Sequence, residues 1–288
     1  MALHQSIIDL YDEYTHKPLG RRVFLERLTA MAGSTAAASA ALAVLEPNYA
    51  RAAVVPEADP RIQTERIKTR IGDTELVGYL AAPKGASKVG AVIVVHENRG
   101  LNAHIEDVTR RLAVDGFVAL GVDFLAPFGG TPEDADAARA MFAKITGEQV
   151  VAQASAAVTF LEKRNGSNGK VGAVGFCWGG GMVSVIAARE PRLDAGVSFY
   201  GVAPPADAVK NIKASMMLHY AGLDTRVNAT MAGYDAALKA ANVPHTIYVY
   251  EGVNHAFNND TSEERYNKDA ATLAWSRTVE FFRQTLGG

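Results

Sequence analysis

The run Val171-Gly-Ala-Val-Gly-Phe-Cys177-Trp-Gly-Gly-Gly181 leaves the backbone few choices. Its apolar first half reads as a strand, and its glycine-rich second half as a sharp turn opening a helix. Cys177, the only cysteine of the chain, sits in the turn with Gly175 two residues before it and Gly179 two residues after it. A lone cysteine is ordinarily a small buried hydrophobe. Between glycines at this spacing it occupies the serine position of a G-x-S-x-G turn, with sulfur in place of oxygen. Small neighbours let strand and helix close on each other, while the central residue is held in strained geometry with its side chain at the tip. The run therefore marks Cys177 as a candidate nucleophile.

The segments around this turn alternate regularly. Residues 62–71 and 75–82 alternate apolar and polar side chains, which predicts an antiparallel strand pair. Ala91-Val-Ile-Val-Val95 is short and continuously apolar, as in a strand buried on both faces. Further strands are expected at 117–122, 171–175, 195–200, 214–220 and 245–250. Helices are expected near 104–115, 133–145, 148–164, from the turn to Arg189, 229–241 and 262–285. Strands alternating with helices imply an α/β fold, with a mostly parallel central sheet covered by helices on both faces.

Residues 1–52 have a different composition. Gly20-Arg-Arg-Val-Phe-Leu25 is close to a twin-arginine export motif, followed by an alanine-rich stretch from Leu28 to Leu45 and a small-x-small site at Ala50-Arg51-Ala52. Gly33, Ser34, Thr35 and Ser39 make the stretch too polar for a stable membrane span. Before the arginines, residues 6–14 pattern as a short amphipathic helix, which an export signal does not need. The segment is read as an export signal directing the protein to the periplasm; the alternative is a retained helical arm on a cytoplasmic protein, packing on the domain or on a neighbouring subunit. Residues 53–60 read as a linker and residues 61–288 as one domain. The net charge of −2 gives no basic field for nucleic acid, and one cysteine excludes an intrachain disulfide or a cysteine-rich zinc site.

Ligands bind beyond the carboxyl ends of strands in open α/β sheets. Four such ends carry chemistry here. His96-Glu97-Asn98-Arg99-Gly100 begins like a metalloprotease helix, but glycine stands where the second histidine ligand is required. As a loop it can offer the Asn98 N–H to a developing oxyanion. At the turn itself, the Trp178 N–H can point at the same oxyanion, and the helix dipole favours a thiolate at Cys177. Asp224, in Tyr220-Ala-Gly-Leu-Asp224, can orient a histidine or simply cap a helix. His255, in Glu251-Gly-Val-Asn-His255, is the candidate base. The other histidines fit less well: His4 and His16 lie in the N-terminal segment, His104 at a helix start, His219 and His245 in a strand, and His96 packs at a strand end. The chain order nucleophile, acid, base is that of α/β-hydrolases.

With these residues in place the chain resembles the dienelactone hydrolase family over roughly residues 62–285. The resemblance rests on Val94-Val-His-Glu-Asn-Arg-Gly-Leu101, Gly116-Phe-Val-Ala-Leu-Gly-Val-Asp123, Gly175-Phe-Cys-Trp-Gly-Gly180, Gly222-Leu-Asp224 and His255-Ala-Phe257. It implies an α/β-hydrolase fold and cleavage of lactones or esters by a Cys177–Asp224–His255 triad, with no metal and no cofactor. It also implies that Glu97 holds the resting thiol until substrate displaces it, since a nearby carboxylate disfavours the thiolate. Arg99 and Phe257 are candidate substrate contacts, with Arg139 and Arg226 as further sources of positive charge. The family's arginine shortly after the catalytic histidine is missing, because Phe257-Asn-Asn-Asp260 is followed by no arginine before Arg265. Dienelactone itself is therefore not the expected substrate. The expected function is hydrolysis of a small carboxylic ester or lactone through a thioester acyl-enzyme, in a chain compatible with homo-oligomer formation. The alternatives are a non-catalytic binding or scaffold protein on the same fold, or a thiol redox protein using Cys177.

Overall fold

A computed structural model describes residues 3–17, 19–49 and 53–287. Three helices come first: α1 (Gln5–His16), α2 (Arg21–Ala32) and α3 (Thr35–Leu45). Gly33, at φ 80°, ends α2, and Ser34 caps α3 by accepting from the Ala37 N–H. The break turns the apolar stretch through 111°, and no single helix among the described residues is long and apolar enough to cross a membrane. Ala50-Arg51-Ala52 lies outside the described residues.

The rest of the chain builds one eight-stranded sheet. Its strands are β1 (Ile62–Ile71), β2 (Thr74–Pro83), β3 (Val89–Val95), β4 (Val118–Val122), β5 (Ser167–Phe176), β6 (Ala195–Phe199), β7 (Ser215–Ala221) and β8 (His245–Tyr250). They lie in the order β1-β2-β4-β3-β5-β6-β7-β8. β1 and β2 are antiparallel, β2 meets β4 antiparallel, and the remaining pairs are parallel. The sheet is thus mixed at one edge and parallel through its centre.

The helices are α4 (Ala103–Val114), α5 (Ala135–Phe142), α6 (Gly147–Glu162), α7 (Trp178–Arg189), α8 (Ala206–Val209), α9 (Thr225–Asn228), α10 (Met231–Ala240) and α11 (Lys268–Leu286). Alternate residues of β3 face opposite ways, because side chains of a strand repeat with period two. Ile93 and Val95 join the core under α6, α7 and α10, whereas Val92 and Val94 join the core under α4 and α11. This two-sided burial accounts for the unbroken apolar run 91–95. Residues 53–60 are less of a linker than their composition suggests. Val55 is buried, its N–H donates to Asp107 Oδ1 and its carbonyl accepts from Arg110 Nε.

Register brings the chemistry to one edge. Val95 lies level with Gly175, Phe176 with Phe199, and Ala221 with Tyr250. The loops that follow β3, β5, β7 and β8 therefore open on the same side. The expected start of the last helix at 262 is corrected: α11 begins at Lys268, capped by Asn267, whose side chain accepts from the Ala270 N–H. Residues 256–266 instead form turns, with Ser262 N–H donating to Asn259 O and Tyr266 N–H to Ser262 O.

Candidate active site

Cys177 holds φ 57° and ψ −116°, a conformation a side chain rarely adopts. The glycines explain how it is held. A Cβ on Gly175 would sit 2.1 Å from the Gly179 carbonyl oxygen, and one on Gly179 would sit 2.3 Å from that of Val95. Only glycine lets α7 cross the end of β5 this closely. Trp178 is the first residue of α7, so its N–H is among the donors that the helix itself leaves unpaired. Its indole packs on the His96, Phe124 and Phe142 rings. Tyr200 (φ 40°) and Ala256 (φ 65°) are also left-handed, so three strained residues surround the sulfur.

Asp224 follows β7 and does two jobs. Its Oδ1 accepts from the Val227 N–H, capping α9, and its Oδ2 lies 2.6 Å from His255 Nδ1. Capping and orientation are thus compatible, because a carboxylate has two oxygens. Burial opposes ionisation of Asp224, but the hydrogen bond and charge of His255 hold its carboxyl below the usual range. With its Nδ1 proton directed at Asp224, His255 presents an Nε2 lone pair. That atom is buried and has no hydrogen-bond partner, and it lies within 4.8 Å of Cys177 Sγ.

The contact at the sulfur comes from an unexpected direction. His16, the last residue of α1, places Nε2 3.0 Å from Cys177 Sγ. Its Nδ1 lies 2.8 Å from the Asp12 carbonyl and 3.1 Å from Asp12 Oδ1. Burial disfavours the imidazolium, yet Cys177 and Asp12 together raise the pKa of His16 above its ordinary value. Partial burial opposes ionisation of Asp12 too, but the charges of His255, His16 and Arg226 hold it well below the usual carboxylate range. The sequence placed His16 outside the site because it belongs to a segment that reads as a leader. Only the end of an amphipathic helix at Tyr14-Thr-His16 hinted at a residue fixed in space.

Glu97 also departs from expectation. Its Oε2 accepts from Asn259 Nδ2 at 2.9 Å, and its Oε1 is buried without a partner. The resting sulfur is hydrogen-bonded by His16 rather than by Glu97. His96 packs as expected, taking the Phe124 N–H on Nε2 and directing Nδ1 at the Glu97 carbonyl. Asn98 turns its side chain to the arm, donating to the Thr15 carbonyl. Phe257 is corrected as a substrate contact: it has no exposed surface and supports the site from below, against Tyr200 and Tyr250.

The arginines redistribute as well. Arg265 reaches the pocket that contains Glu97, Cys177 and His255, because the late start of α11 folds residues 256–266 back over the sheet edge. An arginine after the histidine is therefore present in space, though not at the expected spacing. Arg99, from the same pocket, donates to Tyr11 Oη of α1 at 2.8 Å. Arg226 pairs with Asp12, and Arg139 stacks over the Tyr14 ring. All four arginines meet the arm.

Two spaces adjoin Cys177. The one between Cys177, His255 and the arm is about 20 Å³, the size of one water. The other is a cavity of about 870 Å³ that includes Asn98, Cys177, Trp178, Phe142, Met182 and Arg226, with Thr15, His16, Lys17, Leu19 and Gly20 contributing a wall. It is large enough for a small organic molecule.

A strained cysteine turn after the central β5, an aspartate-bound histidine and a mixed sheet are those of an α/β-hydrolase. Residues 76–286 match the model of the dienelactone hydrolase family, and the chain belongs to that family. It is accordingly a hydrolase of the ester and lactone type. A Salmonella typhi relative with the provisional name carboxymethylenebutenolidase is 31% identical over 225 residues, covering 73% of this chain and 83% of that protein. A Methylorubrum extorquens relative under the same provisional name is 30% identical over 283 residues, covering 93% of this chain and 96% of that protein. That coverage exceeds what the domain alone can supply, so the likeness enters the helical arm. A provisionally named dienelactone hydrolase from Klebsiella pneumoniae superposes with a TM-score of 0.70 at 28% identity, covering 77% of this chain and 99% of that one.

Proposed function

We propose that Cys177 is the nucleophile of a hydrolase acting on a small carboxylic ester or lactone. The observation that carries this reading is the Asp224–His255 pair at 2.6 Å, with its unpartnered Nε2 turned toward a strained cysteine at the head of α7. Asp224 fixes the tautomer of His255, and His255 takes the proton of Cys177. The thiolate then attacks the carbonyl carbon, and the backbone N–H groups of Asn98 and Trp178 stabilise the oxyanion. His255 protonates the leaving alkoxide and then activates the water that releases the acid. The large cavity receives the substrate, with Arg226 at its edge and apolar walls from Phe142, Met182 and Val185. Arg99 and Arg265 border the sulfur from the other side. Residues 1–52 we read as a retained arm, a reading supported by the cavity wall that α1 supplies.

A panel of activated aryl esters and lactones tests the proposal on wild type and Cys177→Ala. Wild type is expected to turn over at least one class, with an acyl adduct on Cys177 visible by intact-protein mass spectrometry. Cys177→Ala should lose at least about 10³-fold in kcat/KM. Full activity in that variant would remove Cys177 from the mechanism. The mass of the protein from its native cell reads the N-terminus in the same experiment.

A further inference from the structure

Two aspartate–histidine pairs converge on one sulfur. Asp224 takes the Nδ1 side of His255, and Asp12 takes the Nδ1 side of His16. Both imidazoles are thereby fixed with Nε2 as the electron-pair donor, and both Nε2 atoms lie close to Cys177 Sγ. The His16 nitrogen stands 3.0 Å from the sulfur, and the three donor atoms all lie within 4.8 Å of one another. The rings meet edge to face with centroids 4.6 Å apart. His255 is 95% buried by its 5% exposure, and its Nε2 has no partner.

This is the arrangement of a metal ligand set. In a tetrahedral zinc site with sulfur at about 2.3 Å and nitrogen at about 2.0 Å, donor atoms stand about 3.5 Å apart. The His16–Cys177 separation is 3.0 Å, and the other two are no longer than 4.8 Å. Ligating histidines characteristically give their second nitrogen to a carboxylate, which fixes the tautomer and raises basicity. Here His255 gives it to the Asp224 carboxylate, and His16 gives it to the Asp12 backbone carbonyl with the Asp12 carboxylate 3.1 Å away. One thiolate and two imidazoles select a borderline-soft ion such as Zn²⁺ over Mg²⁺ or Ca²⁺, which take oxygen ligands.

We propose that His16, Cys177 and His255 form a three-ligand site for a tetrahedral divalent transition metal, with Zn²⁺ as the natural occupant. The three residues share the small space of about 20 Å³ between Cys177, His255 and the arm. Binding forms one metal–sulfur and two metal–nitrogen bonds, and the thiol proton leaves to solvent; no electrons are transferred. The ion ties α1 to the head of α7 and removes both Cys177 and His255 from hydrolysis. The arm thus converts a catalytic pair into a metal-locked resting state. The proposal uses the same Cys177 and His255 as the hydrolase reading, but it does not depend on turnover.

Cobalt tests it without substrate. Co²⁺ added to the full chain should give a one-to-one complex with thiolate-to-metal charge-transfer absorption in the near ultraviolet and tetrahedral bands in the visible. Cys177→Ser should abolish the charge-transfer band. His16→Ala should weaken Co²⁺ binding and Zn²⁺ binding, the latter measured by competition with a chromophoric chelator, by tenfold or more. Asp12→Asn, which keeps the shape of α1, should weaken both by about tenfold. Absence of a charge-transfer band overturns the proposal. So does an affinity unchanged within twofold in both His16→Ala and Asp12→Asn, since the arm would then supply no ligand. If cobalt binds as expected and Cys177→Ala still hydrolyses esters, the reading of Cys177 as nucleophile fails alone.

Discussion

Cys177 is strained because two carbonyl oxygens stand where side chains would otherwise be. Gly179 illustrates the constraint. A methyl group there would lie 2.3 Å from the Val95 oxygen and 2.5 Å from the His96 oxygen, and both belong to backbone that cannot yield cheaply. Gly179→Ala should destabilise the fold by about 1–3 kcal/mol, as overpacking does, and should lower activity further by tilting α7. Denaturant unfolding followed by fluorescence, alongside ester turnover, measures both. The sequence made this residue-scale arrangement readable, because glycine two before and two after a nucleophile has a steric reason that any sequence displays. Asp224 and His255 were readable for a similar reason, as each follows a strand. His16 and Arg265 were not. His16 sits 161 positions before its partner sulfur, and nothing local links them. Arg265 reaches the site only because α11 starts at 268 and leaves the preceding residues to fold back.

At the scale of elements, the arm is a small helical unit with its own core. Tyr11, Tyr14, Phe24, Leu28, Ala38 and Leu45 form a cluster separate from the two cores of the sheet. Tyr14 and Phe24 stack with centroids 4.1 Å apart. Against the domain the arm makes mainly polar contacts: Thr15 O with Asn98, Tyr11 with Arg99, Asp12 with Arg226, Leu45 O with Ser262. Apolar burial holds the arm together and polar contacts dock it. The docking is therefore the weaker of the two, because polar groups exchange protein partners for water at small net cost. Phe24→Ala should lose about 3–5 kcal/mol of packing, confined to the arm, and expose Cys177. Alkylation by iodoacetamide should then be at least tenfold faster than in wild type, while the far-ultraviolet signal of the sheet is kept. An unchanged alkylation rate would mean that the arm does not guard the sulfur. The patterning of residues 6–14 predicted α1 correctly, but a helical pattern says nothing about where its polar end docks.

At the scale of the whole molecule, the sheet is covered on both faces, and β7 carries a fully buried histidine outside the site. His219, in β7, is fully buried between Tyr250 Oη (2.9 Å) and Thr278 Oγ1 (3.1 Å). Burial, helped by the Arg277 charge, pushes its pKa down to about 3. The unfolded chain protonates this histidine near pH 6.5, so between those values the unfolded state binds more protons and stability falls as pH falls. Between pH 7 and pH 5 the loss from this residue is about 2 kcal/mol. Denaturant unfolding at the two pH values should show it. His219→Leu should be less stable throughout, since two hydroxyl groups each lose one of their partners, but its stability should change less with pH by that amount. An equal pH dependence in the variant would place the proton uptake elsewhere.

The sequence by itself determined what depends on near neighbours along the chain. That covers the strands and helices, the mixed α/β sheet and the steric turn at Cys177, all of which follow from periodicities and spacings a few residues long. Tertiary structure alone decided what depends on distant segments meeting. It brought the end of α1 to the sulfur, turned Glu97 toward Asn259, buried Phe257 under Tyr200 and carried Arg265 into the pocket. Such contacts join surfaces whose own sequences carry no record of the partner. The single cysteine was visible from the outset, and its second histidine became visible only once the chain was folded.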